Sequence, residues 1–418
     1  MNFRIFRPFS QILLIFALLQ FHAPISAASD YLKKARIPTP SCEDAMSYGV
    51  YKGRYWIGPD EFPLKETPVQ LYAGLGDHGI KPQTHVVIPW EILSKGTAPL
   101  AWEEVRKNFP IMFYNVMNLK EHPGKYGPDP KTGHRAYIPG VSEKPKWALE
   151  QIGAETKSVN PMAFVWTEVE SIQNFGETCL EHLDGKYFPI LIQGNDIEKR
   201  INIAFGVRRD LKVDAELISH RAETWIDPLD GKEKLLFSRD MPVLILRRAG
   251  EEQPFLILVG THNKSQRPSP GDPLSEGQRT AQSARQAKII GLLRKRFGKK
   301  VLVVDGGDFN KDVRTGREFE PLHREGLVDA FDLKGSTPPE NRITHTYHPK
   351  HGNREVSQLD AAFMPEEFKD TIKSVRVIPH KDASGNPKPL PLTYDEREKN
   401  PSDHMALELI LDLTKAPE

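Results

Sequence analysis

The sequence has few cysteines and no repetitive tract. Its 418 residues contain two cysteines, Cys42 and Cys179, which excludes a disulfide-dense scaffold. Whether these two cysteines pair stays open, because pairing depends on a Cα separation that sequence does not give. No Cys/His spacing typical of a structural zinc site occurs. With 39% hydrophobic residues and no long low-complexity segment, the chain has the composition of a packed globular protein.

Long apolar runs are also scarce, and the one that exists stands near the N-terminus. Two arginines precede the run Ile12–Phe21, and small residues follow it, which is the pattern of a secretory signal peptide. An uncleaved anchor is the alternative, but a membrane helix needs about 20 apolar residues. We predict a signal peptide over residues 1–28, cleaved near Ala27 or Ala28. The mature protein is then expected to be secreted or periplasmic, without stable membrane association.

An excess of positive charge is missing as well. The formal net charge is +1 at pH 7, and it becomes −1 once residues 1–28, with Arg4 and Arg7, are removed. Proteins that bind nucleic acid nonspecifically usually carry an excess of Lys and Arg that neutralises phosphates. Any binding of a polyanion must therefore come from local patches, which weighs against avid binding of duplexes.

Two regions follow the signal peptide. Residues 29–108 are rich in Pro, Gly and aromatics and show little periodicity, so we interpret them as an irregular N-terminal extension. From residue 109 to 418, short β-branched and aromatic runs alternate with stretches of helical length, which predicts an α/β domain. The predicted strands are Ile111–Val116, Ala163–Trp166, Phe188–Ile192, Ile201–Val207, Val243–Leu246, Phe255–Val259, Val301–Val304, Val356–Phe363 and Ala406–Leu411.

The predicted helices are Pro145–Thr156, Val169–Leu183 and Glu276–Phe297. The last has Ser275 as a candidate N-cap, and cations in its final turn are followed by Gly298, which is a helix stop. Hairpins mixed with strand–helix units imply either one mixed sheet or two sheets packed face to face with helices outside.

Polar side chains follow the ends of several predicted strands. They are Asn115, Glu168, His262, Asp308, Asn310, Asp403 and His404. Ligand sites in α/β sheets gather at strand ends, so these residues are expected to converge on one pocket. Carboxylate and amide oxygens suit Mg²⁺, and imidazoles beside such an ion can bind phosphate or transfer protons.

These segments, in this order, resemble the endonuclease/exonuclease/phosphatase superfamily of metal-dependent phosphoesterases. The resemblance covers about Pro110 to Leu413 and rests on the strand ending at Asn115, Thr167–Glu170, Ser238–Pro242, Thr261–Ser265, Gly307–Asn310, Gln358–Asp360 and Ser402–His404. The His-x-Lys-Ser element and Gln286 look most like secreted bacterial nucleases of that superfamily. The fold that the resemblance implies is a four-layer α/β sandwich, in which two packed mixed β-sheets are flanked by helices.

The resemblance also implies a role for each matching residue. Glu168, with Asn115 beside it and Asp403 completing the site, would hold a divalent metal. This would be Mg²⁺, with Mn²⁺ or Ca²⁺ as alternatives and one or two ions left open. Asp308 would orient or deprotonate the attacking water, and Asn310 would hold that water or the phosphate.

The remaining roles concern the phosphate and the departing group. His404 would contact the scissile phosphate, and Asp360 would hold it in position. Adjacent strand residues point to opposite faces, so Asp403 is badly placed to support His404 and a residue of another strand must do so. His262 would assist the leaving group, with Glu198 as a candidate acidic partner, and Arg239 could clamp a phosphate oxygen.

Two charged positions depart from the superfamily pattern. Asp305 adds a charge where the strand is usually apolar, near the metal or at the turn. Glu170 stands where some relatives that cut duplexes have an arginine. Separately, the histidine series His345, His348 and His351 suits either a transition-metal site or a turn at Pro349.

The function expected from these observations is that of a secreted, divalent-metal-dependent phosphodiesterase acting as a nuclease on DNA or RNA. The enzyme is expected to be a phosphoric ester hydrolase, specifically an endonuclease, with nucleic acid as its substrate and a monomer as the favoured state. A phosphatase or a phospholipid phosphodiesterase on the same scaffold is the first alternative. A catalytically silent binding protein is the second.

Overall fold

The computed structural model describes most of the region that carries the motifs. It covers residues 84–119 except 95, 144–196, 201–267, 271–349 and 353–417 except 383, together with the backbone of five short strands within 50–63 and 124–139. The predicted signal peptide, Cys42, Glu198 and His351 lie outside the described residues. Within the described ranges, no helix has both the length and the apolar character needed to span a bilayer.

Two large mixed sheets form the centre of the fold. The six-stranded sheet has the order β21 (Ile372–Ile378), β22 (Ala406–Leu411), β5 (Phe109–Leu119), β8 (Ala163–Val169), β10 (Asn202–Arg208), β9 (Tyr187–Ile190). The seven-stranded sheet has the order β17 (Leu327–Asp329), β20 (Asp360–Pro365), β16 (Leu302–Asp308), β15 (Pro254–His262), β14 (Val243–Arg248), β11 (Val213–Ser219), β4 (Thr84–Ile88).

The smaller elements lie around these sheets. The short paired strands are β1 (Val50–Tyr51), β2 (Arg54–Ile57), β3 (Asp60–Pro63), β6 (Gly124–Pro128), β7 (Arg135–Pro139), β12 (Thr224–Ile226), β13 (Glu233–Leu235), β18 (His345–Tyr347) and β19 (Glu355–Ser357). The helices are α1 (Trp90–Ser94), α2 (Trp102–Val105), α3 (Lys146–Val159), α4 (Ile172–His182), α5 (Glu276–Phe297), α6 (Glu320–Arg324), α7 (Ala330–Lys334) and α8 (Tyr394–Arg397). Four 3-10 turns complete the described elements: Arg317–Phe319, Pro339–Arg342, Glu366–Thr371 and Leu413–Lys415.

Alternation along the central strands explains the layers. In β15, Leu258 lies in the core between the two sheets, whereas its neighbour Ile257 packs in a second core with Ile290 of helix α5. Helices α3 and α4 pack on the six-stranded sheet. The four-layer α/β sandwich expected from the resemblance is therefore confirmed, and the alternative of a single mixed sheet is excluded.

The two sheets approach closely at Gly306 of β16. A Cβ placed on Gly306 would lie 2.2 Å from a ring carbon of Phe113 in β5, so no larger residue fits there without movement. This contact lies directly below the polar ends of β5 and β16. The glycine thus sets the distance between the two sheets where the candidate site begins.

The predicted strands lie at the correct positions in the chain, but one was not divided and others were not predicted. Val356–Phe363 is two strands, β19 and β20, rather than one. Residues within the predicted extension 29–108 contribute an edge strand, because Thr84–Ile88 pairs antiparallel with β11. Strands β11 and β21 were not predicted.

Ser275 stands at the N-cap position of helix α5, as predicted, but another residue supplies the capping bonds. Ser275 has a left-handed backbone, with φ of 52°, and its hydroxyl makes no capping bond. Instead the carboxylate of Asp272 accepts hydrogen bonds from the backbone N–H groups of Glu276 and Gly277, each at 2.9 Å. A carboxylate here also faces the positive end of the helix dipole.

Candidate active site

Strand register places three of the predicted residues in one row. Strands β15 and β16 are parallel, with His262 opposite Asp308. Strand β20 runs antiparallel to β16, with Asp360 opposite Asp308. All three side chains are buried. The parallel pair therefore brings a histidine and a carboxylate to the same edge of the sheet, and the neighbouring strand adds a second carboxylate.

The other sheet contributes Asn115 and Glu168 from two parallel strands, β5 and β8. The Asn115 amide donates from Nδ2 to Asp308 Oδ2 at 3.0 Å, and the same nitrogen lies 3.4 Å from Glu168 Oε1. The second Glu168 oxygen accepts a hydrogen bond from the backbone of Asn118 at 2.9 Å. Asn115 thus links the polar ends of the two sheets.

His262 lies between the two carboxylates. Its Nε2 is 3.6 Å from Asp308 Oδ2 and 3.9 Å from Glu168 Oε1. Its side chain is 2% exposed, so these carboxylates act on it through little intervening water. The imidazole is therefore placed to exchange a proton with a group bound between them.

Hydrogen bonds from Asn310 orient the Asp308 carboxylate, and its pKa is raised. Its Oδ1 accepts the backbone N–H of Asn310 at 2.7 Å, and its Oδ2 accepts the Asn310 side-chain amide at 3.1 Å. Burial raises the pKa of Asp308 to about 7, and the nearby Asp360 adds to this, whereas His404 opposes it. A carboxylate with such a pKa can take up a proton near neutral pH.

His404 is held by Asp360. Its Nδ1 lies 2.7 Å from Asp360 Oδ2, and its Nε2 lies 3.9 Å from Asp308 Oδ2. Burial opposes charging of the imidazole, but the carboxylates of Asp360 and Asp308 outweigh it and raise the pKa of His404 to about 10. The ring is therefore positively charged at neutral pH, which suits contact with an anion.

Ser402 joins the last motif to the first. Its hydroxyl donates to the Asn115 carbonyl at 2.7 Å and accepts the backbone N–H of His404 at 3.1 Å. Behind it, His380 lies 3.1 Å from the Ser402 carbonyl and 3.0 Å from Glu155. His380 is buried and thus links the Glu155 side chain of helix α3 to the terminal motif.

Arg239, Asp305 and Asp403 make contacts that the sequence did not predict. Arg239 is 4% exposed and donates to the Asn263 carbonyl at 2.9 Å, which also accepts the side-chain amide of Asn310. Asp305 is not beside the reactive groups: it faces helix α5 and accepts a hydrogen bond from Thr261. Burial raises its pKa to about 7, so it adds no full charge below that pH.

The carboxylate of Asp403 points toward Arg397 and His345, which were not among the predicted site residues. Its Oδ2 lies 3.5 Å from the Arg397 guanidinium and 3.9 Å from His345 Nε2. Although burial opposes ionisation, His404, His345 and Arg397 together lower the pKa of Asp403. This cationic environment therefore keeps the carboxylate ionised.

The histidine series separates in the structure. His345 stacks beside His404, with ring centroids 4.6 Å apart, and its backbone bridges to His404. His348 instead faces the Pro391 carbonyl at 3.1 Å. His345 belongs to the candidate site, whereas His348 makes a structural contact, so the two do not act as one metal site.

The oxygen-rich donor set fits a hard divalent cation. Glu168 and Asp308 both approach Asn115, and Mg²⁺ uses only one or two carboxylates while it keeps several waters. In the described part of the chain, no group of three or more His, Cys, Asp or Glu side chains is arranged to hold a metal. An enclosed cage of the zinc type is therefore not found among these residues.

No protein-family model and no curated protein matches the chain. Among solved structures, it is similar to truncated TDP2 from Caenorhabditis elegans, with 15% identity, a TM-score of 0.45, and coverage of 73% of this chain and 97% of that one. An endonuclease/exonuclease/phosphatase family protein from Bacteroides thetaiotaomicron gives the same values. The human Nocturnin catalytic domain shares 14% identity at a TM-score of 0.44, over 79% and 97% of the two chains.

Proposed function

We propose that the protein is an exported, divalent-metal-dependent phosphodiesterase that hydrolyses nucleic acid. The observation that supports this most directly is the grouping of His262, Asp308 and His404. Their closest polar atoms lie 3.6 to 3.9 Å apart, and Asp360 holds His404 from behind. This set combines a carboxylate able to accept a proton with two imidazoles able to contact phosphate oxygens.

The reaction would be an in-line attack of water on phosphorus. Asp308 takes the proton from the attacking water, since its pKa lies near neutral pH and Asn310 fixes its orientation. His404, held charged by Asp360, donates to a phosphoryl oxygen. His262 is placed to protonate the departing oxygen.

Glu168 and Asn115 would hold the metal, and Asp403 would share that role when its carboxylate turns from Arg397. A bound divalent ion would supply Lewis-acid stabilisation of charge on the phosphoryl oxygens. Its removal with EDTA is expected to abolish turnover, and added Mg²⁺ is expected to restore it.

Substrate class can be tested directly. Purified protein is incubated with plasmid DNA, RNA, sphingomyelin or an inositol phosphate, each with Mg²⁺ or EDTA. Cleavage of nucleic acid that depends on Mg²⁺ is expected. Cleavage of sphingomyelin or inositol phosphate with nucleic acid left intact would instead establish the alternative phosphodiesterase or phosphatase, and no turnover of any substrate would favour a binding protein.

The role of His404 has its own test. His404→Ala is expected to lower kcat by about 10²-fold or more, because a charged donor to the phosphate is lost. The exposed His323→Ala serves as the matched control and should retain activity. Circular dichroism would check that both variants fold. Near-full activity of His404→Ala would show that the terminal motif is wrongly assigned.

A further inference from the structure

Two cations next to the candidate site have no role in the reaction described above. The Lys144 ammonium donates to the Met117 carbonyl at 2.7 Å. The Arg397 guanidinium lies 3.9 Å from the Met117 sulfur and 3.5 Å from Asp403 Oδ2. Both cations therefore meet at Met117, at the edge of the site formed by Asp403.

The backbone at this point is shaped to hold them. Met117 and Asn118 have left-handed φ angles of 45° and 56°, and the pairing of β5 with β8 shifts register between Asn115 and Leu119. Such a bulge turns the chain out of the ladder and exposes a carbonyl on the side of the site. The bulge thus fixes Lys144 beside the pocket through the Met117 carbonyl.

Arg397 is enclosed but weakly engaged. Its side chain is 13% exposed, and its contacts with oxygen atoms of the described residues, Asp403 and Glu398, are both 3.5 Å long. Arg279, by contrast, donates twice to Glu318 at 3.2 and 2.9 Å. A guanidinium prefers shorter, bidentate contacts with an anion. Arg397 therefore retains donors that an incoming phosphate could engage.

Tyr394 lies beside Arg397 at the surface of the protein. The Arg397 guanidinium lies 5.4 Å from the centre of the Tyr394 ring, and Tyr394 is 49% exposed. An exposed aromatic ring beside a cation is the arrangement on which proteins stack unpaired bases. Two cations and one ring on the same side of the site suit a strand that continues beyond the cleaved bond.

We infer that Lys144 and Arg397 bind the phosphate next to the scissile one in a single-stranded polynucleotide, and that Tyr394 stacks on an adjoining base. This inference rests on the proposed function and narrows it. A substrate with one phosphate, such as a simple phospholipid, would offer these two cations no second phosphate to bind. A single strand is favoured over a duplex because Tyr394 needs an unpaired base, and because Glu170, at the position of the duplex-contacting arginine, is buried.

The test compares two substrates of the same bond type. One is bis(4-nitrophenyl) phosphate, which has no neighbouring phosphate, and the other is a single-stranded oligonucleotide of about twelve thymidines. Lys144→Ala and Arg397→Ala are each expected to lower kcat/KM for the oligonucleotide about tenfold more than for the small diester. Each is also expected to reduce the slope of log kcat/KM against log salt by about 0.7.

Tyr394 is tested in the same way. Tyr394→Ala is expected to lower kcat/KM for the oligonucleotide about tenfold, and Tyr394→Phe should restore most of it because a ring is retained. The exposed Lys369→Ala controls for general loss of positive charge and should leave both activities unchanged.

The outcomes separate this inference from the proposed function. Equal losses on both substrates, or unchanged salt slopes, would overturn the phosphate subsite. Turnover of the small diester without any cleavage of oligonucleotide by the unmodified protein would overturn both the subsite and the nucleic-acid part of the proposed function, and would leave the phosphodiesterase chemistry standing. Absence of turnover on both substrates would reject the proposed function itself.

Discussion

At the scale of single residues, the site gives two neighbouring carboxylates different tasks. Asp360 lies 2.7 Å from His404 and stabilises its positive charge, whereas burial raises the pKa of Asp308 to about 7. Groups whose surroundings shift their pKa, as they do for Asp308 and His404, commonly take different parts in the same reaction. The assignment of Asp308 as the base and His404 as the phosphate contact follows from this difference.

Removing the charge of Asp360 should reveal its effect on His404. Asp360→Asn is expected to lower the pKa of His404 from its raised value of about 10, because a carboxylate that favours the imidazolium is lost. The alkaline limb of the kcat profile should then move to lower pH. An NMR titration of the imidazole and a pH–rate profile measure both effects, and an unmoved limb would contradict the assignment. The exposed Asp370→Asn is the control.

The buried carboxyl of Asp305 should affect stability rather than catalysis. Burial raises its pKa from 3.8 to about 7, so the folded protein holds this proton more tightly than the unfolded chain does. Its contribution to stability therefore falls as pH rises from about 4 to about 7. Asp305→Asn removes the charge and should raise the free energy of unfolding at pH 8 by up to roughly 4 kcal/mol.

Urea denaturation at pH 4 and pH 8 measures this effect. The gain from Asp305→Asn should shrink toward pH 4, where the natural carboxyl is neutral in the folded protein. Equal stability of the two proteins at pH 8 would show that Asp305 is neutralised by another route.

At the scale of elements, sequence patterns located the strands that carry the reactive groups. Strands β15 and β16 are continuous apolar runs, so their ends, and hence His262 and Asp308, were predictable. Strand β21 was missed because its buried residues Ile372, Val375 and Ile378 recur every three positions, a spacing that does not alternate as a strand should. A register shift near its start produces that spacing.

Some site residues gave too little signal in the sequence. Arg397 belongs to a short helix in an otherwise irregular segment, and only the folded chain brings it to Asp403. His345 belongs to a series of histidines that separate in the fold, because strand pairing places His345 beside His404. Contacts of this kind depend on tertiary geometry that local patterns do not encode.

The cap of helix α5 can be tested at this scale. Asp272→Ala is expected to lower the free energy of unfolding by about 1–2 kcal/mol, because two backbone N–H groups lose their acceptor. Asp272→Asn keeps one acceptor oxygen and should lose less. Urea denaturation of the three proteins provides the measurement, and equal stability of the alanine and asparagine variants would show that the side-chain oxygen does not cap the helix.

At the scale of the whole molecule, the spacing of the two sheets depends on Gly306. Gly306→Ala is expected to lower the free energy of unfolding by about 1–3 kcal/mol, because its methyl group would overlap the Phe113 ring. The loss should be smaller when Phe113→Leu is also present, since the smaller side chain leaves room. A double-mutant cycle in urea measures this coupling, and identical losses in both backgrounds would contradict it.

Overall charge also belongs to this scale. The near-neutral charge of the chain makes nonspecific adhesion to polyanions weak, so under the proposed function recognition of a polyanion would come from the few cations at the site. Such a protein should select substrates by local fit rather than by long-range attraction.

The row formed by His262, Asp308 and Asp360 spans three adjacent strands within the seven-stranded sheet. The row closes the ends of β15 and β16, whose buried interior residues lie within the sheet and exchange their amide hydrogens with solvent only when the inner strands separate. The amide hydrogens along the interior of these two strands should therefore be among the slowest in the molecule to exchange for deuterium. In rising denaturant, loss of activity and loss of structure should then follow a single curve.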